Sequence, residues 1–209
     1  KILLALLISI EPLKETITKN IQKIKFTEYF KNKQLLTLYL VQLGLTAWFA
    51  TLYNFLPLYA NDNGFSPKFI GFVLFAAVIP LIFLEFPIGK LADKNGFRKY
   101  ISFGFMIIGL FTLTTFFADP LATIVIITIA TIGAAFIEPL TEAYFFEEVR
   151  VKEQEESLYP IYKTSQEASS IIFPLIFSTI LLFYNFKILF VVVAIFMFIF
   201  SFLALKLRR

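Results

Sequence analysis

The sequence predicts an all-α polytopic membrane protein, and three observations carry that prediction. Of 209 residues, 58% are hydrophobic, 18% aromatic and only 16% charged, whereas soluble domains run at about 45–50% apolar and about 25% charged. A single soluble domain of this length has too much surface to hide that share of apolar side chains. Apolar stretches of about 20 residues, enough to cross the hydrocarbon core of a bilayer, recur between short polar breaks. Basic residues crowd into alternate breaks, the asymmetry that orients helical membrane proteins. The same composition excludes disorder, a collagen-like repeat and a disulfide scaffold.

Residues 1–10, from Lys1 to Ile10, are apolar but too short to span, and lack the flanks of a signal peptide. They read as the end of a preceding transmembrane helix. Residues 11–34 read as a connector, in which Ile17, Ile21, Ile24 and Phe30 recur at roughly helical spacing among lysines. A helix lying on the membrane surface and a solvated linker both fit that pattern. Residues 35–205 hold six full spans: Leu35–Ala60, Phe69–Ile88, Ile101–Ala118, Leu121–Phe146, Leu158–Tyr184 and Phe186–Leu205. In lipid these must be helices, because unpaired backbone groups are not tolerated there and no alternating barrel pattern appears. Residues 206–209 form a short tail.

Lys14, Lys19, Lys23, Lys25, Lys31 and Lys33 precede the first full span. Lys90, Lys94, Arg98 and Lys99 follow the second, Arg150 and Lys152 the fourth, and Lys206, Arg208 and Arg209 the sixth. These fifteen basic residues stand against Lys68 and Lys187 in the other breaks. The positive-inside rule therefore puts the fifteen, the connector and the tail in the cytoplasm, as expected of a protein integral to the cell (cytoplasmic) membrane.

The chain has no Cys and no His. Disulfides, thiolate nucleophiles, Cys-ligated metals, imidazole ligands and Ser-His-Asp triads are thereby removed. The acidic cluster Glu147 to Glu156 has no His or Asp companions. No catalytic residues, metal site or cofactor are expected, and the chain does not read as an enzyme.

Between the second and third spans runs Gly89-Lys-Leu-Ala-Asp-Lys-Asn-Gly-Phe-Arg-Lys-Tyr-Ile101. It resembles the signature G-x-L-a-D-r-x-G-r-r/k of the major facilitator superfamily. Gly89, Leu91, Ala92, Asp93, Gly96, Arg98 and Lys99 match, Lys94 stands where Arg is commoner, and Phe97 interrupts the usual Gly-Arg pair. The approaches Phe55-Leu-Pro-Leu-Tyr59 and Gly64-Phe-Ser-Pro-Lys-Phe-Ile-Gly71 fit as well. Gly89 suits close approach of helix backbones and Gly96 a tight turn. Asp93 suits a helix start, for which Ser157, as N-cap of the fifth span, is the expected partner. Arg98 and Lys99 are expected near Glu147 and Glu148. The resemblance implies a gate at this point that holds the cytoplasmic side shut; a loop that merely fixes orientation is the plainer alternative. It further implies twelve spans in two halves, each half made of two inverted three-helix repeats. The upstream partial span and connector match the C-terminal six-helix half, with the N-terminal half missing.

Within the first full span, Tyr39, Gln42, Thr46, Phe49 and Tyr53 are spaced to share one helix face, with Asn54 beside it. By the resemblance this stripe lines a central cavity; interhelical hydrogen bonding is the other reading. Glu85, Glu138, Glu142, Lys163 and Glu167 lie in or at the ends of spans, where ionisable groups mark a pathway or a pairing. Glu85 and Glu142 are placed to reach water. Glu138 precedes Pro139, and Lys163 and Glu167 are one turn apart, so a Glu138–Lys163–Glu167 network is expected, with Glu138 or Glu167 a candidate proton site. Pro80, Pro87, Pro139, Pro174 and Gly133 mark kinks or close-packing points.

The resemblance thus implies a secondary transporter moving a small organic solute by alternating access, with protons as a candidate coupling ion and efflux as one direction. Its partners are the solute, membrane lipid and the missing half, with no nucleic acid. A scaffold or solute sensor derived from a transporter, or a polytopic membrane enzyme, are the alternatives. Nothing in the sequence selects the solute, the direction or the oligomeric state.

Overall fold

The computed structural model describes residues 26–150 and 155–208. The expected end of a preceding span at 1–10, and the connector residues Ile17, Ile21 and Ile24, lie outside them. All regular structure among the described residues is helical. A short helix α1 (Phe26–Lys31) precedes six long ones: α2 (Lys33–Asp62), α3 (Pro67–Asn95), α4 (Phe97–Phe117), α5 (Pro120–Arg150), α6 (Glu155–Phe183) and α7 (Phe186–Ala204). Each of the six is long and apolar enough to cross a membrane.

Helix starts follow local sequence. Asn32, Ser66, Asp119 and Asn185 are N-caps whose side chains accept from the backbone N–H of Gln34, Phe69, Ala122 and Ile188 at 2.9, 3.3, 2.9 and 3.1 Å. Each satisfies one of the unpaired donors that open a helix. Pro67 and Pro120 occupy first-turn positions, where the missing N–H costs nothing. α2 and α3 part at Gly64 and α3 and α4 at Gly96, both at positive φ (80° and 85°), the region glycine enters without strain.

Two helices are interrupted. α2 contains a π-helical turn, Thr51–Phe55. α5 breaks at Thr131, between segments Pro120–Ala130 and Ile132–Arg150. Just beyond that break the backbones of α4 and α5 meet at Gly104 and Gly133. A Cβ built on Gly104 would lie 2.5 Å from the Gly133 carbonyl oxygen, so only hydrogen fits.

Packing obeys an exchange rule. α2 packs on α6 as α3 packs on α5; α2 packs on α7 as α4 packs on α5; α4 pairs with α7, and α2 with α5. Exchanging the first three long helices with the last three reproduces this set of contacts. Each unit holds an odd number of helices, so α5 starts at the opposite end of the bundle from α2. The fold is therefore two inverted three-helix repeats. The middle helix of each, α3 and α6, is the least covered. Phe72, Phe75, Phe83 and Phe86 of α3, and Ile171, Leu175, Leu182 and Phe183 of α6, are exposed. Side chains apolar on all sides suit a bilayer or further helices rather than water.

The expected spans match the observed helices, but helices outlast hydrocarbon. α3 runs to Asn95, so most of the signature is helical, and only Gly96 breaks the chain before α4. α6 already begins at Glu155, which puts Ser157 inside its first turn rather than at the expected N-cap. In α1, Tyr29 is fully buried, and its ring meets Phe30 and Tyr39 edge-on at 5.3 and 6.2 Å.

Candidate functional site

The polar side chains inside the spans sort into a buried knot and an open face. At the knot, Gln42 of α2 is 3% exposed, and its Oε1 accepts from the Tyr162 hydroxyl of α6 at 2.7 Å. Thr141 Oγ1 of α5 lies 3.0 Å from the same oxygen and 3.0 Å from the Glu138 carbonyl, sharing its single proton between them. Ser169 donates to the Leu43 carbonyl at 2.8 Å, again joining α6 to α2. Stacked rings of Phe145 and Tyr162, 4.8 Å apart, close the knot from the α5 side. Gln42 was expected on the cavity stripe; it turns instead into the bundle, where a primary amide bridges helices that have no water to satisfy them.

The rest of that stripe behaves differently. Tyr39 is half-buried, its hydroxyl 3.3 Å from Thr164 Oγ1 of α6. Thr46 returns its hydroxyl to the Gln42 carbonyl, 3.2 Å away. Phe49 and Tyr53 stack at 5.9 Å, and Tyr53 and Asn54 are exposed. The π turn explains this presentation. An extra residue in the turn rotates the remainder of the helix about its axis, and Tyr53 and Asn54 sit on that turn.

The ionisable groups gather beside this stripe, but with other partners than the spacing suggests. Lys163 Nζ lies 3.5 Å from Glu142 Oε1, the ion pair found among the described residues. The Tyr159 hydroxyl donates to the same carboxylate oxygen at 2.5 Å. The Lys163 ammonium also stands 5.3 Å from the centroid of the Tyr159 ring and 5.9 Å from that of Tyr162. Glu138 is half-buried and shares its field with Glu85, Glu142 and Lys163, while Glu167 is exposed. The expected Glu138–Lys163–Glu167 network is thus a Glu142–Lys163 pair with Glu138 nearby and Glu167 outside. Geometry decides it. Glu142 and Lys163 face each other from adjacent helices and share the Tyr159 hydroxyl, and no ion pair joins Lys163 to Glu167 within 4.0 Å among the described residues.

The signature surrounds the turn at Gly96. Ala92 is fully buried; Leu91, Asp93, Lys94 and Lys99 are exposed. Arg98 is half-buried, and no ion pair joins Arg98 or Lys99 to Glu147 or Glu148 within 4.0 Å among the described residues. A Cβ on Gly89 would meet nothing within 4 Å, so Gly89 serves no close approach inside this bundle; Gly104 and Gly133 do. Sequence reasoning missed Glu142, Tyr159 and Tyr162 as a unit. The available signal was Tyr159, Tyr162 and Lys163, which share one side of α6 near its start.

Among the described residues no group of three His, Cys, Asp or Glu is placed to hold a metal. What the open face offers is binding chemistry: aromatic planes, hydroxyls, amides and paired charges on three helices of an otherwise apolar bundle.

No curated protein matches the chain. The model of one protein family, described as Major Facilitator Superfamily, matches residues 3–209. With six membrane-length helices in two inverted repeats and the Gly89–Lys99 signature at the turn between α3 and α4, the chain belongs to the major facilitator superfamily of membrane transporters.

Proposed function

We propose that this chain is the C-terminal six-helix half of a secondary transporter, which with an N-terminal half moves a small organic solute across the cell membrane by alternating access. The observation that carries the proposal is the open face. Tyr39, Phe49, Tyr53 and Asn54 of α2 adjoin Glu138 and Glu142 of α5 and Lys163 of α6, all inside membrane-length helices. Polar groups so placed are costly unless they serve a pathway. Family members bind solute at the midplane between two such bundles, and this half-exposed polar face of α2, α5 and α6 suits that contact. In this reading the basic ends of the helices face the cytoplasm and the signature turn belongs to the inner gate, which the positive-inside rule supports.

Proton coupling belongs to the same proposal. Glu138 is a half-buried carboxyl inside a membrane-length helix, a placement that marks a pathway or a pairing. Glu167, one turn beyond Lys163, is the second candidate.

Access tests the transport reading without knowing the solute. Because this chain has no Cys, Thr46→Cys provides a single reporter in it. In the full protein, reconstituted in vesicles, it is expected to react with an impermeant maleimide added to either side. Labelling from one side only, under every ion gradient applied, would point to a scaffold or sensor instead. Glu138→Gln and Glu167→Gln test coupling: transport that keeps its wild-type pH dependence in both variants removes the proton from the cycle.

A further inference from the structure

Four segments far apart in the sequence converge at the basic end of the bundle. Gln34 sits in the first turn of α2, its backbone N–H held by the Asn32 cap at 2.9 Å. Tyr144 of α5 is buried, and its hydroxyl donates to Gln34 Oε1 at 3.0 Å. Beyond α7 the chain curls on itself: Lys206 and Leu207 N–H donate to the Leu203 and Ala204 carbonyls at 2.9 and 3.1 Å. That curl inserts Leu207, only 1% exposed, among the helix ends. It also aims the next N–H, that of Arg208, between the same two groups, 2.9 Å from Gln34 Oε1 and 3.0 Å from the Tyr144 hydroxyl oxygen. On the other side of Tyr144 stands Phe97, edge-on with centroids 6.1 Å apart at 78°. Phe97 is the first residue of α4 after the Gly96 turn, and the residue by which this sequence departs from the usual Gly-Arg pair of the signature.

We propose that residues 205–208 form a strap whose Arg208 backbone N–H, seated between Gln34 and Tyr144, fixes the Tyr144 ring and through it holds the signature turn in place. The chemistry favours a backbone donor here. An N–H shared by the half-buried Gln34 amide oxygen and the buried Tyr144 hydroxyl cannot rotate away as a side chain can, and Leu207 anchors it from within. Phe97 then has a fixed aromatic edge to dock on, where a charged residue would find none. The position of the turn between α3 and α4 consequently depends on a segment more than a hundred residues further along. Tyr144 is a positioning residue in this device. The inference rests on packing alone and does not depend on which solute the protein carries.

Proline supplies the test, because Arg208→Pro removes the donated N–H while Arg208→Gln keeps it and removes the same charge. Hydrogen exchange is followed in the full-length protein in nanodiscs, at the Gly96 amide, which bonds the Ala92 carbonyl at 2.7 Å, and at amides 100–103 and 36–39. Relative to Arg208→Gln, Arg208→Pro is expected to speed exchange at all three by about three- to tenfold, the effect of one net hydrogen bond. The Phe69 and Ile70 amides, at the far end of the bundle and bonded to Ser66, are expected to be unchanged, which separates a loosened strap from general destabilisation. Tyr144→Phe is the second variant, keeping the ring under Phe97 but losing the hydroxyl. It should speed exchange at 36–39 more than at Gly96. Equal exchange in Arg208→Pro and Arg208→Gln at Gly96 and at 100–103 would overturn the proposal. If Arg208→Pro fails to fold, unchanged exchange at 36–39 in Tyr144→Phe overturns it instead.

Discussion

Gly104 and Gly133 hold α4 and α5 together by having no side chain. Each stands against the other's backbone carbonyl, and Gly44 likewise faces the Phe200 ring. Adding one methyl there forces backbones apart, and overpacking of this kind costs about 1–3 kcal/mol. Gly104→Ala and Gly133→Ala are therefore expected to lower the melting temperature in detergent, whereas Gly71→Ala, in open space, is expected to leave it unchanged. Gln42 gives the polar counterpart. Gln42→Leu strands the Tyr162 hydroxyl, while Thr141 can turn fully to the Glu138 carbonyl. A buried hydroxyl without a partner costs about 1–3 kcal/mol, and removing both partners together is nearly neutral. The double variant Gln42→Leu with Tyr162→Phe should thus recover most of the loss in melting temperature; equal loss in the single and double variants would disprove the bridging role. Gly133 was legible as a packing point, but Gly104 was not, because a glycine's neighbour lies on another helix and leaves no mark in the local sequence. Gln42 shared the spacing of the stripe, and spacing alone cannot say whether an amide on one side of that stripe faces a cavity or a neighbouring helix.

Helix starts were readable to within a few residues, and three of them carry N-caps at Ser66, Asp119 and Asn185. The π turn of α2 was not, because the run Thr51–Phe55 carries no breaker to mark it. Nor was the helical course of the signature, whose polar residues looked like a loop although helices extend beyond hydrocarbon into water. That course separates its two glycines. Gly96 sits at φ 85° and ψ 142°, a region where a side chain costs about 1–3 kcal/mol, whereas Gly89 is mid-helix with open space beside it. Gly96→Ala should therefore lower the melting temperature and Gly89→Ala should not, since alanine is the better helix former. Loss of transport in Gly89→Ala at unchanged stability would locate its contact outside these six helices.

Taken whole, the bundle is symmetric in contacts and asymmetric in charge. The exchange of α2, α3 and α4 with α5, α6 and α7 keeps the packing while turning each helix end for end. Perfect symmetry would put equal charge at both ends, and the sequence breaks it: Lys90, Lys94, Arg98, Lys99, Arg150, Lys206 and Arg208 lie at one end, against Lys68 and Lys187 at the other. The repeat relation itself was expected only through the signature's resemblance, because the two units share shape rather than residues. The charge bias, by contrast, was open to direct reading, since orientation in a bilayer is set by lysine and arginine counts near helix ends and needs no tertiary information. It yields a prediction for the whole molecule. Single cysteines placed at Lys94 and Lys206 are expected to react with an impermeant maleimide only when the cytoplasmic side is exposed, and those at Asn63 and Tyr184 only from the opposite side. Lys94 and Asn63 are decisive together, because they stand at the two ends of α3 and the loop before it, so a single inverted helix would exchange their labelling while the other two kept theirs. Agreement at all four fixes both repeats at once, for a bundle whose contacts are this closely paired cannot turn one repeat over and leave its counterpart in place.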